Sequence, residues 1–199
     1  MPTYKTNELI EQLQQQTENF LQEAISEWQL MPAAVLLQQP AAGKWSAAQC
    51  LEHLNSYGRY YLPAIEKAIE ASKAKGQNGT KSFSSGWLGN YFTNMMKPTH
   101  KMKKMASPKD HAPKADLDAA KVVGDFIDQQ ERLLLLLEEA QHIDMNKATV
   151  AISIAKFIKL KLGDVFMFLV AHNERHIVQA EKALNSKVKN QKAKDARVA

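Results

Sequence analysis

The stretch FMFLVAHNERHIVQAEKAL, residues 166–184, reads as one long helix and carries two histidines, His172 and His176, four positions apart. On an α-helix, positions i and i+4 lie one turn apart on the same face. Val165, Phe168, Leu169 and Ala183 fall on that face as well, so both imidazoles are directed into an apolar interior. Six histidines in 199 residues would produce about 0.2 such pairs by chance, so the spacing alone carries little weight. The setting carries more, because a buried imidazole without a partner is costly. The pair resembles H-E-x-x-H, in which the glutamate is the general base of a metalloprotease. Here Asn173 fills that position, and an amide takes up no proton at neutral pH. Glu174 projects about 200° from His172 around the helix and does not replace it. The protease reading fails.

Working outward, three further segments share this helical period. In NELIEQLQQQTENFLQEAISEW, Leu9, Leu13, Phe20, Ala24 and Trp28 fall near one face, widened by Ile10, Leu21 and Ile25. In KWSAAQCLEHLNSYGRYYLPAIEKAIEASKA, Ser46 and Gln49 have the spacing of a capping box, with Trp45 placed to act as a hydrophobic staple. Leu54, Tyr57, Tyr61, Ile65 and Ile69 then form its stripe, and Pro63 is placed to bend it. In ADLDAAKVVGDFIDQQERLLLLLEEAQ, Val122, Phe126, Leu133 and Leu137 repeat likewise. Gly163 and Asp164 open the last helix, expected to end before Asn185. The architecture these segments predict is all-α: a four-helix bundle over residues 1–185. A long crossover between helices two and three, residues 76–113, carries a short extra helix marked by Trp87, Leu88, Tyr91, Phe92, Met95 and Met96. Residues 143–162 fit a loop, a short helix or a strand. The lysine-rich tail, 186–199, is expected to be disordered.

Composition narrows the function. The single cysteine, Cys50, rules out an intrachain disulfide framework and fits a reducing compartment. No apolar h-region opens the chain and no run reaches a membrane-spanning length, so a cytoplasmic protein without a membrane partner is expected. The net charge is +5, with +5 in residues 97–109, +4 from residue 185 to the end and −4 elsewhere. Basicity confined to a link and a tail leaves no helix face for nucleic acid, and none is expected as a partner.

On the second helix His53 lies at the edge of the apolar stripe, with Cys50, Tyr57, Tyr60 and Ala64 around its direction. Bundles build metal sites from inward-facing residues on facing helices, and three imidazoles with an open fourth position suit a catalytic ion. Three core histidines bonded to backbone or carboxylates are the plain alternative. Cys50 as a fourth ligand would close the site; as a small buried thiol it needs no such role. Gln179, three residues after His176, is either a hydrogen-bond partner of the site or a satisfied buried amide. Arg175 flanks the histidine face, as a substrate-steering charge or a structural ion pair. Tyr57 and Tyr60 line a pocket or pack the core. Trp87, Tyr91 and Phe92 cover the site or form a dimer patch. His100, His111 and His142 lie in polar or loop settings and are expected at the surface.

KWSAAQCLEHL in helix two and HNERHIVQAEKAL in helix four, with WLGNYFTNMMKP and KMKKMASP between them, resemble the DinB-like superfamily over roughly residues 5–185. The elements that carry the resemblance are W-S-x-x-x-x-x-x-H and H-x-x-R-H-x-x-Q. It implies a four-helix bundle with a long second connection and a divalent ion held by His53, His172 and His176. It also implies, as for some members, transferase chemistry on a small thiol such as bacillithiol, mycothiol or glutathione, the ion lowering the sulfur's pKa. Metal-activated water attacking an amide or ester is a second option, and a non-catalytic, metal-stapled binding or assembly module a third. Zinc and nickel are the expected cofactors, although a histidine-only donor set also suits copper and iron. A small-molecule substrate and a homodimer complete the expectation.

Overall fold

The computed structural model describes residues 1–98 and 106–195, with side chains through Asn185. It is 64% helix, which places it in the helical class the stripes predict. Strand β1 (Thr3–Lys5) leads into α1 (Thr6–Glu23), which continues as a π-helical turn, Ala24–Trp28. After the short α2 (Ala33–Leu36) come α3 (Ala47–Ala74), β2 (Ser82–Ser84), α4 (Trp87–Met96) and a 3₁₀ turn, Lys109–His111. The chain closes with α5 (Ala119–Ala140), β3 (Thr149–Ile152), β4 (Ala155–Lys161) and α6 (Leu162–Asp195).

Four long helices hold the core. α3 packs on α5 and α6, and α1 packs on the same two. The buried residues of α1 and its π turn include Leu9, Leu13, Phe20, Ala24 and Trp28, the stripe read from sequence. Trp28 meets Phe126 of α5 with ring centroids 6.1 Å apart. Burial of each Leu- or Phe-sized side chain contributes about 1.5–3 kcal/mol. Polar ties add registry: Asn55 Nδ2 donates to the Val122 carbonyl at 2.9 Å.

α3 begins where its capping box predicts. The Gln49 amide donates to Ser46 Oγ at 3.1 Å, while the Ser46 amide donates to Gln49 Oε1 at 3.0 Å. The helix passes through Pro63 without a break. Asp118 caps α5 by accepting from the Lys121 amide at 3.1 Å.

The structure settles one open stretch, adds a short ribbon and revises the end of the last helix. The ambiguous stretch 143–162 contains an antiparallel hairpin, β3 with β4, and β1 pairs antiparallel with β2, so the fold is helical with two short ribbons. Alternation explains the hairpin: Leu160 is buried while Phe157 and Lys159 face out. The last helix passes Asn185 and runs to Asp195, since the lysine-rich sequence there has neither glycine nor proline to end it. His100 and the tail after Asp195 lie outside the described residues.

α4 is fixed to the start of α6 by a buried carboxylate. Asp164 Oδ1 accepts from Ser85 Oγ at 2.5 Å and Oδ2 from the Gly86 amide at 2.9 Å. A methyl group on Gly89 would fall on the Asp164 side chain, which those two bonds hold in place. Gly89→Ala should therefore cost about 2 kcal/mol, read as a lower urea midpoint with unchanged slope.

Candidate metal centre

The capping box starts α3 so that His53 arrives on its second turn, facing α6. The 3.6-residue period of α6 stacks His172 and His176 on the opposing face. The three rings meet: centroids lie 5.1 Å apart for His53–His172, 4.6 Å for His53–His176 and 4.8 Å for His172–His176. All three are buried, and one nitrogen from each lies within 4.8 Å of the others. No other group of three or more such ligands occurs among the described residues.

Hydrogen bonds on the far side of the rings decide which nitrogens are free. His53 Nδ1 lies 2.7 Å from the His111 carbonyl oxygen, which only accepts, so Nδ1 carries the hydrogen and Nε2 keeps its lone pair. His176 Nδ1 lies 3.1 Å from Gln179 Oε1, with the same consequence. Gln179 is thus a partner of the site. His53 Nε2 and His172 Nε2 face each other at 3.2 Å. Nitrogens bound tetrahedrally at 2.0–2.1 Å would lie about 3.3 Å apart. A single shared proton could bridge that one pair, leaving His176 Nε2 outside the arrangement. A cation serves all three, and the residues fit one. His172 Nδ1 is buried with no hydrogen-bond partner, so this ring alone lacks an outer acceptor.

Electrostatics agree with the donor role. Burial lowers the His53 pKa to about 4, against the opposing His111 carbonyl bond. Burial, followed by the ionisable ring of His53 and the charge of Arg175, lowers His176 to about 3. His172 is driven well below the ordinary range, mainly by burial. All three are therefore neutral at neutral pH and protons compete little for their lone pairs.

The surroundings are aromatic. Trp45, expected to staple the cap of α3, has its ring 5.0 Å from His53 and 5.8 Å from His176. Tyr57 stands edge-on to His172 at 4.4 Å, and Phe168 stacks on it at 5.5 Å. Burial pushes the Tyr57 phenol up to about 12, so it stays protonated. Tyr60 and Tyr61 bond instead to the β3–β4 hairpin, at Ala151 and Ser153. Cys50 is buried and outside the ligand group, its thiol pushed up to about 12 by desolvation. Asn173 donates to Gln130 Oε1 on α5 at 2.9 Å; the position that fails as a general base is a tie between helices. Arg175 is buried as well.

His111 corrects the sequence reading. It was expected at the surface and is buried, its ring stacked on Tyr57 at 3.9 Å and its Nδ1 2.9 Å from Ser56 Oγ. Its main-chain oxygen orients His53, a role no side-chain pattern announces. His142 is exposed as expected.

The Gln179 contact has a measurable consequence. Gln179→Leu removes the acceptor that orients His176 and should weaken zinc binding about 10- to 100-fold at unchanged stoichiometry. Competition titration against a chromogenic chelator reads this directly.

A family profile described as the DinB superfamily matches residues 9–180. No curated protein and no solved structure matches the chain.

Proposed function

As the chain belongs to the DinB superfamily, we propose that it is a metal-dependent enzyme acting on a small thiol. Its scaffold would be a four-helix bundle of α1, α3, α5 and α6, with α4 in the crossover between α3 and α5. His53, His172 and His176 would hold a divalent cation, zinc or nickel. The observation that carries this reading is the meeting of three neutral imidazoles, two of them with Nδ1 already committed to an oxygen acceptor. Bound there, the cation supplies the Lewis acidity that lowers the pKa of a coordinated thiol.

The chain's own residues supply the rest. Uncharged donors leave the ion's positive charge uncompensated, and burial limits screening by water. Trp45, half-buried beside His53 and His176, would offer ring surface to an organic substrate. The charge of Arg175, felt at both His172 and His176, favours a thiol that bears a carboxylate. A thiolate, once formed, needs no further base, and the ligand group contains no carboxylate to act as one.

One observation favours water attack on an amide or ester as a second reading. Ser56 Oγ–H donates to the His53 carbonyl at 2.7 Å, so the same oxygen accepts from His111 Nδ1–H. That leaves His111 Nε2 with a lone pair, on a ring whose charge would be felt at His53 and His172, the equipment of a general base.

Zinc- or nickel-loaded protein, given bacillithiol or glutathione with an aryl halide, should consume thiol faster than buffer does. His53→Ala should abolish the acceleration. Turnover that survives this substitution would sink the metal mechanism. An ion bound without turnover of thiol or ester would leave it as a staple between α3 and α6.

A further inference from the structure

Two stretches far apart in sequence are free of acids. Residues 71–109 and 145–163 together contain twelve lysines and no Asp, Glu or Arg. The remainder carries fourteen basic residues against 21 acids, so the net +5 combines +12 in these stretches with −7 elsewhere. Described parts of the two stretches meet in the fold. β4 packs on α4, and Lys161 Nζ donates at 2.6 Å to the carbonyl of Ser84, just ahead of α4.

This layer also bears large apolar side chains that the core does not take up. Trp87 is 68% exposed, Tyr91 57%, Ile154 61% and Phe157 88%. Trp87 and Tyr91 lie one turn apart on α4, whose buried side is formed by Gly89, Thr93 and Met96. Phe157 faces out of β4 beside Lys156 and Lys159, while Leu160 is buried. Lys81, Lys97, Lys156 and Lys159 are exposed, and none of them forms an ion pair among the described residues.

We propose that this face docks the chain peripherally on an anionic lipid surface. Trp87, Tyr91, Ile154 and Phe157 enter the interface, and the lysines meet headgroup phosphates. Tryptophan and tyrosine favour the headgroup level, and lysines near the surface are drawn to anionic lipid. A second copy docked two-fold through this face would set lysine against lysine. A nucleic acid would be served better by arginine, which clasps phosphate through two hydrogen bonds, and has no use for Ile154 at a hairpin turn. No helix among the described residues is long and apolar enough to cross a membrane, so the contact lies on the surface. The expectation of no membrane partner rested on the lack of a spanning segment, and surface docking needs none.

The whole chain is to be sedimented with phosphatidylcholine vesicles and with mixed phosphatidylcholine–phosphatidylglycerol vesicles. Binding is expected only to the mixed vesicles. It should fall about 25-fold in Lys156→Gln/Lys159→Gln and about tenfold in Trp87→Ala. Trp28 is buried and Trp45 half-buried, so the emission of Trp87 should shift to the blue on binding and the shift should vanish in Trp87→Phe. All the substituted positions are exposed, and circular dichroism checks their folding. The proposal is overturned by no binding to mixed vesicles, by binding that these variants leave unchanged, or by vesicles failing where single-stranded DNA or self-association depends on the same residues.

Discussion

Zinc added to the metal-free chain should raise its melting temperature, and His172→Ala should remove the effect. An ion held only by the folded state at about 100 times its Kd stabilises by about 2.7 kcal/mol. In a chain of 199 residues that is a shift of about 5–10 °C. Each variant is to be compared with its own metal-free baseline, because losing a buried ring from between Phe168 and Tyr57 costs packing whether or not an ion binds. Calorimetry with and without zinc separates the two effects. His142→Ala, at an exposed position, should respond as the wild type does. A full shift in His172→Ala would place the ion elsewhere.

The second large effect is a loss of metal-free stability in acid. In an unfolded chain His53 titrates near 6.5; burial in the fold lowers this to about 4. A depressed folded-state pKa means that the unfolded chain takes up the proton first as pH falls. The stability present above 6.5 is thus lost progressively down to about 4. The shift corresponds to about 3 kcal/mol for His53 alone, and His176 moves in the same direction.

Glu23 opposes this trend. Its carboxyl is raised from 4.5 to about 7 by burial and by the neighbouring Glu181 and Glu27 carboxylates. Its contribution is fully present below 4.5 and lost as pH rises through about 7. Because Glu23 is only half-buried, screening holds this to about 1 kcal/mol, so the histidines decide the sign. Urea unfolding in chelator should show stability falling between pH 6.5 and 4, with His53→Leu flattening the fall. A wild-type curve flat over that range would contradict the buried, neutral trio.

How much of this could be read from residues follows from the range of each interaction. The capping box of Ser46 and Gln49 and the i, i+4 pair on α6 are local, and both appear where their spacing puts them. The apolar stripes located the long helices because a 3.6-residue period repeated over several turns admits no other regular structure. The stretch holding the hairpin at 149–161 stayed open among loop, short helix and strand, because runs this short fit strand or buried helix equally well. His111 escaped for a different reason. It reaches His53 across 58 residues through a main-chain oxygen, and every residue type offers one. The run of α6 beyond Asn185 departs from the disorder that lysine density suggests, because lysine propagates a helix well.

The central claim is that imidazoles from α3 and α6 share one cation, and X-ray absorption at the metal edge tests it most directly. Zinc-loaded protein should hold one ion per chain and give a spectrum fitted by three imidazole nitrogens, with no sulfur neighbour from Cys50. Substoichiometric metal, a sulfur shell, or a spectrum unchanged in His53→Ala/His172→Ala/His176→Ala would contradict it.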